Sequence, residues 1–251
     1  MKIAQPHPPE QADLERLRRE YADREQRLAH SDIYSILHPG KLLENHSRQR
    51  AALGLLRRHG FARLQNARIL ELGCGNGGVL LEYLGAGAEP HALHGTDLLP
   101  ERVLAAHRLA PHLPVTCADG RRLPYANQAF DLVLQYTVFS SVLDAQVRRS
   151  LAQEMLRVLR QPAAGRPGGL ILWYDFWLNP ANRQTRGLRP AEIRGLFPGC
   201  RCEFRRIILA PPLARRLAPR AWTLAVLLEN LRIFNTHYLA AIRPECVERG
   251  L

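Results

Sequence analysis

The sequence is poor in several features that define whole classes of protein. No run of 18 uncharged apolar residues occurs, so no ordinary membrane-spanning helix is expected. Residues 1–20 (MKIAQPHPPEQADLERLRRE) lack the apolar core of a secretory signal, and a cytoplasmic location is expected. Cysteine is scarce: five residues, an odd number, scattered along the chain, which argues against a disulfide framework. Cys200 and Cys202 are one residue apart, but no second pair or histidine cluster completes a zinc site. Acid is short relative to base, with 23 Asp+Glu against 35 Lys+Arg and a net charge of +12. A basic surface attracts nucleic acid, anionic lipid or an anionic substrate. The arginines are spread along helices rather than massed in one tract, the pattern of a solvated surface more than of a nucleic-acid footprint. Their dominance over lysine fits a GC-rich bacterial genome equally well.

What is present centres on residues 69–78, ILELGCGNGG. A short apolar strand, 68–72, runs into a glycine cluster, and an apolar helical run follows. Gly73, Gly75 and Gly77 have no Cβ, so the chain can turn sharply and offer bare N–H groups to a ligand. Gly73, Gly75 and Gly78 also satisfy G-x-G-x-x-G, a pattern that is weak alone. Spacing strengthens it. Asp97 ends the next apolar segment, 22 residues after Gly75, where an acid can accept from ribose hydroxyls. Asp119 ends the segment after that, and Glu71 stands just before the glycines.

The 251-residue chain, 46% apolar, has the composition for one large core. Residues 1–9 are proline-rich and expected to be disordered. Helices are expected at 10–29 and 41–59, ahead of the first strand, with a loop carrying Tyr34 and His38 between them. Strands at 68–72, 91–96, 113–117, 130–136 and 168–175 alternate with helices at 77–85, 100–109 and 144–159. That order argues an α/β fold with a parallel sheet and helices on both faces. A helix at 189–197, a strand at 201–209, one or two helices over 212–231 and a last strand at 236–243 complete the reading.

The ordered motifs ILELGCGNGG, HGTDLLPERV, CADGRRLPY, FDLVLQYTVFSSV and EMLRVLRQPAAGRPGGLILWYDF make the chain resemble class I S-adenosylmethionine-dependent methyltransferases, in particular the broad type 11 group acting on small molecules. The resemblance covers about residues 68–180 and departs in a short insertion, QPAAGR, before the fifth strand. It implies a Rossmann-like, seven-stranded, mostly parallel sheet with an antiparallel final strand. Residues 63–251 would form the methyltransferase domain, with a helical insertion near 211–232 and residues 1–62 as a helical extension, the two together forming a lid. It further implies that Gly73, Cys74, Gly75 and Gly77 line the methionine moiety of S-adenosylmethionine while Glu71 supports the loop. Asp97 would hold the ribose, and Leu98 would pack on the adenine. Asp119 and Gly120 would meet the adenine edge, and Gln135 would lie near the methionine end.

An acceptor hydroxyl would benefit from a base. The candidates are Asp175, His38, Tyr136, His46 and His237, with Asp175 favoured because it follows the fifth strand at the ligand end. The absence of an Asn-Pro-Pro-Tyr tetrad after the fourth strand and of an acidic metal cluster lowers the adenine, amide and metal-dependent readings; no metal is expected. The expected partner is a small-molecule acceptor methylated at O or N, in a monomer or homodimer. The competitors are an RNA methyltransferase, a non-catalytic nucleotide- or nucleic-acid-binding module, and a nicotinamide dehydrogenase. For the apolar stretch 221–231, exposure of Trp222 separates simple packing from an acceptor wall, a dimer contact or a membrane contact.

Overall fold

A computed structural model describes residues 15–16, 18–20, 23, 35–163, 165–179, 182 and 184–245. Tyr34, residues 1–9 and most of the expected first helix lie outside these. The central parallel strands are short, mostly apolar runs buried on both faces, whereas the edge strand at 115–117 is largely exposed. The strands are β1 (Ile69–Leu72), β2 (Leu93–Asp97), β3 (Val115–Cys117), β4 (Leu132–Tyr136), β5 (Leu170–Phe176), β6 (Cys200–Leu209) and β7 (Asn235–Pro244). They form one sheet in the order β3-β2-β1-β4-β5-β7-β6. All neighbours are parallel except those of β7, which runs against both β5 and β6. The order reverses at β1 and β4, where a crevice opens beyond the strand carboxyl ends.

From residue 35 on, the described residues form these α-helices against the sheet: α1 (Pro39–Arg58), α2 (Gly78–Gly85), α3 (Pro100–Leu109), α4 (Ala145–Val158), α5 (Pro190–Leu196), α6 (Pro211–Leu217) and α7 (Trp222–Leu231). Helix starts follow local chemistry. Pro39 and Pro100 occupy first-turn positions, where the missing N–H costs nothing. Asp144 caps α4 by accepting from Gln146 N at 2.6 Å and Val147 N at 2.9 Å. Helix α1 stops at His59 and Gly60, the latter at φ +91°.

On one face Leu55 and Leu56 of α1, Leu80 and Tyr83 of α2 and Ala106 of α3 pack with Ile69, Leu134 and Leu172. On the other, Leu151 and Met155 of α4 and Ile193 of α5 pack with Leu70, Val133 and Trp173. A smaller core joins Leu43 of α1 to Ala214 of α6 and Ala225 of α7.

One expectation changes here, and one left open is resolved. Helix α1 is a layer of the main core, not an addition hung over the strand ends alone; its N-terminal part meets α6, so closely at Gly40 that a Cβ there would lie 2.7 Å from Arg215 Cα. The stretch 212–231 is two helices, broken at 218–221, because Pro219 removes an N–H donor. Among the described N-terminal residues, Arg16 donates to Ser141 O at 2.6 Å and to Gln184 Oε1 at 3.3 Å, at the strand carboxyl ends.

Candidate cofactor and acceptor site

The loop between β1 and α2 folds as it does because three glycines take left-handed backbone angles: φ +72° at Gly73, +55° at Gly75 and +85° at Gly77. Gly73 and Cys74 donate to Thr96 O at 2.8 and 2.9 Å, strapping the loop to β2. Gly73 also lets Val138, from the loop after β4, lean on the backbone; a Cβ would overlap Val138 Cγ2. Gly77 caps α2 without a side-chain bond, so the first turn of that helix presents its N–H groups outward.

Asp97 ties the glycine loop to the next turn. Its Oδ2 accepts from Gly75 N at 2.9 Å and its Oδ1 from Leu99 N at 3.0 Å. Each oxygen keeps a lone pair for a further donor. Asp119, at the end of β3, is half-buried and gripped by Arg121, whose Nε and Nη2 donate to Oδ2 at 2.9 and 2.6 Å. The sequence reading missed this Arg; its signal is the acid two residues before it. Leu98 is partly exposed beside Asp97. Gly120 has a packing reason to be glycine: a Cβ would lie 2.8 Å from Leu72 and 2.7 Å from Leu151.

Beneath the loop sits Glu71, wholly buried, with Oε2 lacking a hydrogen-bond partner among the described residues. Burial holds its carboxyl well above the usual carboxylate range, opposed by the positive charge of Arg48. Cys74 is buried and its thiol is pushed up for the same reason, which makes it inert packing. Gln135 is fully buried; its Oε1 accepts from Val138 N at 3.1 Å and its Nε2 donates to Tyr174 O at 3.4 Å. It thus fixes the turn after β4, where Thr137 takes φ +58°. A non-glycine residue in that region is held there by its surroundings and marks a strained site.

The candidate bases are scattered. Asp175 is buried at 1% exposure and held by its own surroundings: Oδ2 accepts from Ser140 N at 3.0 Å, Oδ1 from Phe176 N at 2.8 Å, and the Gln135 side chain adds a further bond. Burial raises its carboxyl to about 6 against the pull of those bonds. Instead of facing an acceptor, as expected, Asp175 anchors the turn after β4, because the backbone N–H groups there need a buried acceptor.

His38 caps α1, its Nδ1 accepting from Gly40 N at 3.1 Å. His46 is exposed on α1, on a groove of about 400 Å³ shared with Leu43, Ser47, Trp222 and Val226. Tyr136 and His237 lie on the same face of the sheet as Glu71, each against Tyr174. Tyr136 Oη lies 3.0 Å from Tyr83 Oη. Burial raises the Tyr136 phenol above its ordinary value. His237 stacks on Tyr174 at 4.9 Å and 5° and touches Phe176 at 4.0 Å. Burial, then Lys41 and Arg48, lower its imidazole to about 3. Arg48, unforeseen in the sequence, crosses the Tyr136 and Tyr174 rings at 5.3 and 5.9 Å and pairs with Glu82. A single helix position on a mixed polar face gave no signal for it. Among the described residues no group of three or more His, Cys, Asp or Glu side chains converges as a metal site.

Comparison with known proteins agrees with this geometry. A methyltransferase-domain family model matches residues 69–162, from β1 through the first residues of the QPAAGR insertion. No curated protein matches the chain. Among solved structures, 1,6-didemethyltoxoflavin-N1-methyltransferase of Burkholderia thailandensis, with bound 1,6-didemethyltoxoflavin and S-adenosylhomocysteine, is similar over 98% of this chain and 94% of its own, at 16% identity and a TM-score of 0.57. An S-adenosylmethionine-dependent methyltransferase of Mesorhizobium loti is similar over 78% of this chain and 95% of its own, at 19% identity and a TM-score of 0.51. The cyclase SpnF covers 78% of this chain and 81% of its own, at 19% identity and a TM-score of 0.53. At these identities the structural likeness speaks to the fold, and the matched segment speaks to the family. Residues 69–162 match a methyltransferase-domain family model, in a chain with the fold of the class I S-adenosylmethionine-dependent methyltransferases.

Proposed function

We propose that the protein transfers a methyl group from S-adenosylmethionine to a small-molecule acceptor, at oxygen or nitrogen. The observation that carries this reading is the bond from Gly75 N to Asp97, which makes the glycine loop and the acid at the end of β2 one unit. The residues present suit the cofactor. The N–H groups at the start of α2 suit its carboxylate, and the open lone pairs of Asp97 suit two ribose hydroxyls. Leu98 packs on the adenine, Asp119 and Gly120 meet its edge, and Arg121 holds the Asp119 carboxylate in place. Glu71 and Gln135 support the backbone from below.

The bound cofactor supplies a methyl group already activated on a sulfonium. The chain's own task is to bind, to orient and to exclude water. Tyr136, Tyr174, His237 and Arg48 form a buried aromatic wall near the ends of β4 and β5. An imidazole lowered to about 3 takes up a proton poorly, so His237 shapes that wall rather than acting as a strong base. Support for a small acceptor comes from this aromatic wall and from the many arginines already paired with acids. Arg48 pairs with Glu82, Arg157 with Glu154 and Arg160 with Asp131.

Calorimetric titration with S-adenosylhomocysteine tests the cofactor. Wild type binds. Asp97→Ala loses on the order of tenfold or more, the worth of charge-assisted bonds to two hydroxyls. Equal binding by both proteins, or binding of NADH in place of S-adenosylhomocysteine, would refute the reading. The net charge of +12 favours RNA as the second acceptor class. Steeply salt-dependent binding to polynucleotide would support it.

A further inference from the structure

Helix α7 is inverted relative to water. Its residues, WTLAVLLENL, carry one charge, Glu229, and that side chain points inward to accept from Ser47 Oγ at 2.6 Å. Ala225, one turn before, is buried with it. The opposite face presents Leu224, Leu227 and Leu231 at 46%, 57% and 61% exposure, and the following turn adds Ile233 at 64% and Phe234 at 47%. Positions 224, 227 and 231 form one stripe at helical spacing. An ordinary surface helix turns such a stripe to the core. Here the core side is already filled by Leu43, Leu209 and Ala214. Trp222, partly exposed, stands at the start of the helix, so the packing-only reading of this stretch does not account for it.

The rim of this face is basic. Arg216 and Arg220 precede the helix and Arg232 follows it, all exposed. Residues 210–234 contain no acid except the inward-facing Glu229. A two-fold contact with a second copy would set these arginines against their equivalents with no carboxylate between them. We propose that this face docks on an anionic lipid bilayer. The leucines and Phe234 enter the acyl boundary, and Arg216, Arg220 and Arg232 meet the phosphates. The association is peripheral: among the described residues no helix is long and apolar enough to cross a membrane. Because β6 ends at Leu209 on the side of the strand carboxyl ends, the docked face lies toward the same end of the sheet as the glycine loop.

The proposal does not depend on methyl transfer. Its test is flotation of the full chain with vesicles. Wild type floats with vesicles of phosphatidylcholine and phosphatidylglycerol in equal parts, and largely not with phosphatidylcholine alone. Leu227→Gln with Leu231→Gln lowers the partition coefficient on the order of tenfold per leucine. Arg216→Gln with Arg220→Gln lowers it about fivefold per arginine. All four positions are exposed, and unchanged thermal melting of the variants shows that they fold. Three results would each overturn the proposal: wild type that stays free of anionic vesicles, leucine variants that float like wild type, or a wild-type dimer in light scattering that the leucine variants dissociate. S-adenosylhomocysteine titration of the same variants matches wild type, which keeps a failure of the membrane reading distinct from a failure of the cofactor reading.

Discussion

Gly73→Ala is a sharp probe of the glycine loop, because the structure assigns it two separate costs. The left-handed angle, φ +72°, costs an alanine about 1–2 kcal/mol. The new Cβ also meets Val138 Cγ2, and a valine methyl on a stiff, β-branched side chain cannot swing clear cheaply. Overpacking of that kind costs about 1–3 kcal/mol. The total expected loss is about 2–5 kcal/mol. Val138→Ala alone removes two partly buried methyls, for about 1 kcal/mol. In the double variant the overlap disappears while the backbone cost remains. Urea unfolding of the four proteins therefore gives a coupling of about 1–3 kcal/mol in favour of the double variant. Titration with S-adenosylhomocysteine shows the same rescue, since Val138 holds the loop that Gln135 fixes. Additivity within about 0.5 kcal/mol would refute the claim that Val138 rests on Gly73.

Two buried titrating groups give opposite pH slopes. His237 is lowered to about 3, so the unfolded chain takes up a proton near pH 6.5 that the folded chain refuses. Its contribution is complete above pH 6.5 and falls by about 1.4 kcal/mol per pH unit as pH drops toward 3. Asp175 is raised to about 6 from 3.8, so ionising it weakens the fold as pH rises through that window. Between about pH 4 and 6 the wild type is consequently nearly flat for these two groups. His237→Phe loses stability with rising pH there, and Asp175→Asn gains it, in denaturant melts at stepped pH; parallel curves for both variants would refute the assignment. Ser47→Ala strands the buried Glu229 carboxyl and costs about 1–3 kcal/mol, read as a lower urea midpoint with an unchanged slope.

Much of the fold is legible in the sequence because its strands are continuous apolar runs bounded by turn residues. The strand expected at 130–136 forms from Leu132, and the one expected at 168–175 runs Leu170–Phe176. The glycine loop and Asp97 are legible because their spacing is local to one strand–helix–strand unit, and the bond from Gly75 to Asp97 joins the two residues that spacing singled out. What escaped the sequence are contacts across long separations. Asp175 sits at a strand end where ligands bind, yet Ser140, 35 residues earlier, claims it. Arg48 reaches Glu82 and two tyrosine rings from another element, and no local pattern encodes that. His46 lies on a helix whose apolar residues suggest burial, but its own position falls on the outer arc.

The route of the chain around α6 and α7 has a further consequence. The chain leaves β6 at Leu209 and rejoins the sheet at Asn235, and these two residues are direct partners across the ladder. The mouth of the excursion is therefore no wider than that of a hairpin. Everything between is a graft on a hairpin turn, with a small core that it shares with Leu43 of α1. Lengthening, shortening or replacing it leaves the strand register untouched, and the β1–α2 loop on the far side of the sheet order never feels the change. A scaffold of this kind separates two tasks: one end of the chain can keep a fixed cofactor loop while the other exchanges the surface that the molecule shows to its surroundings.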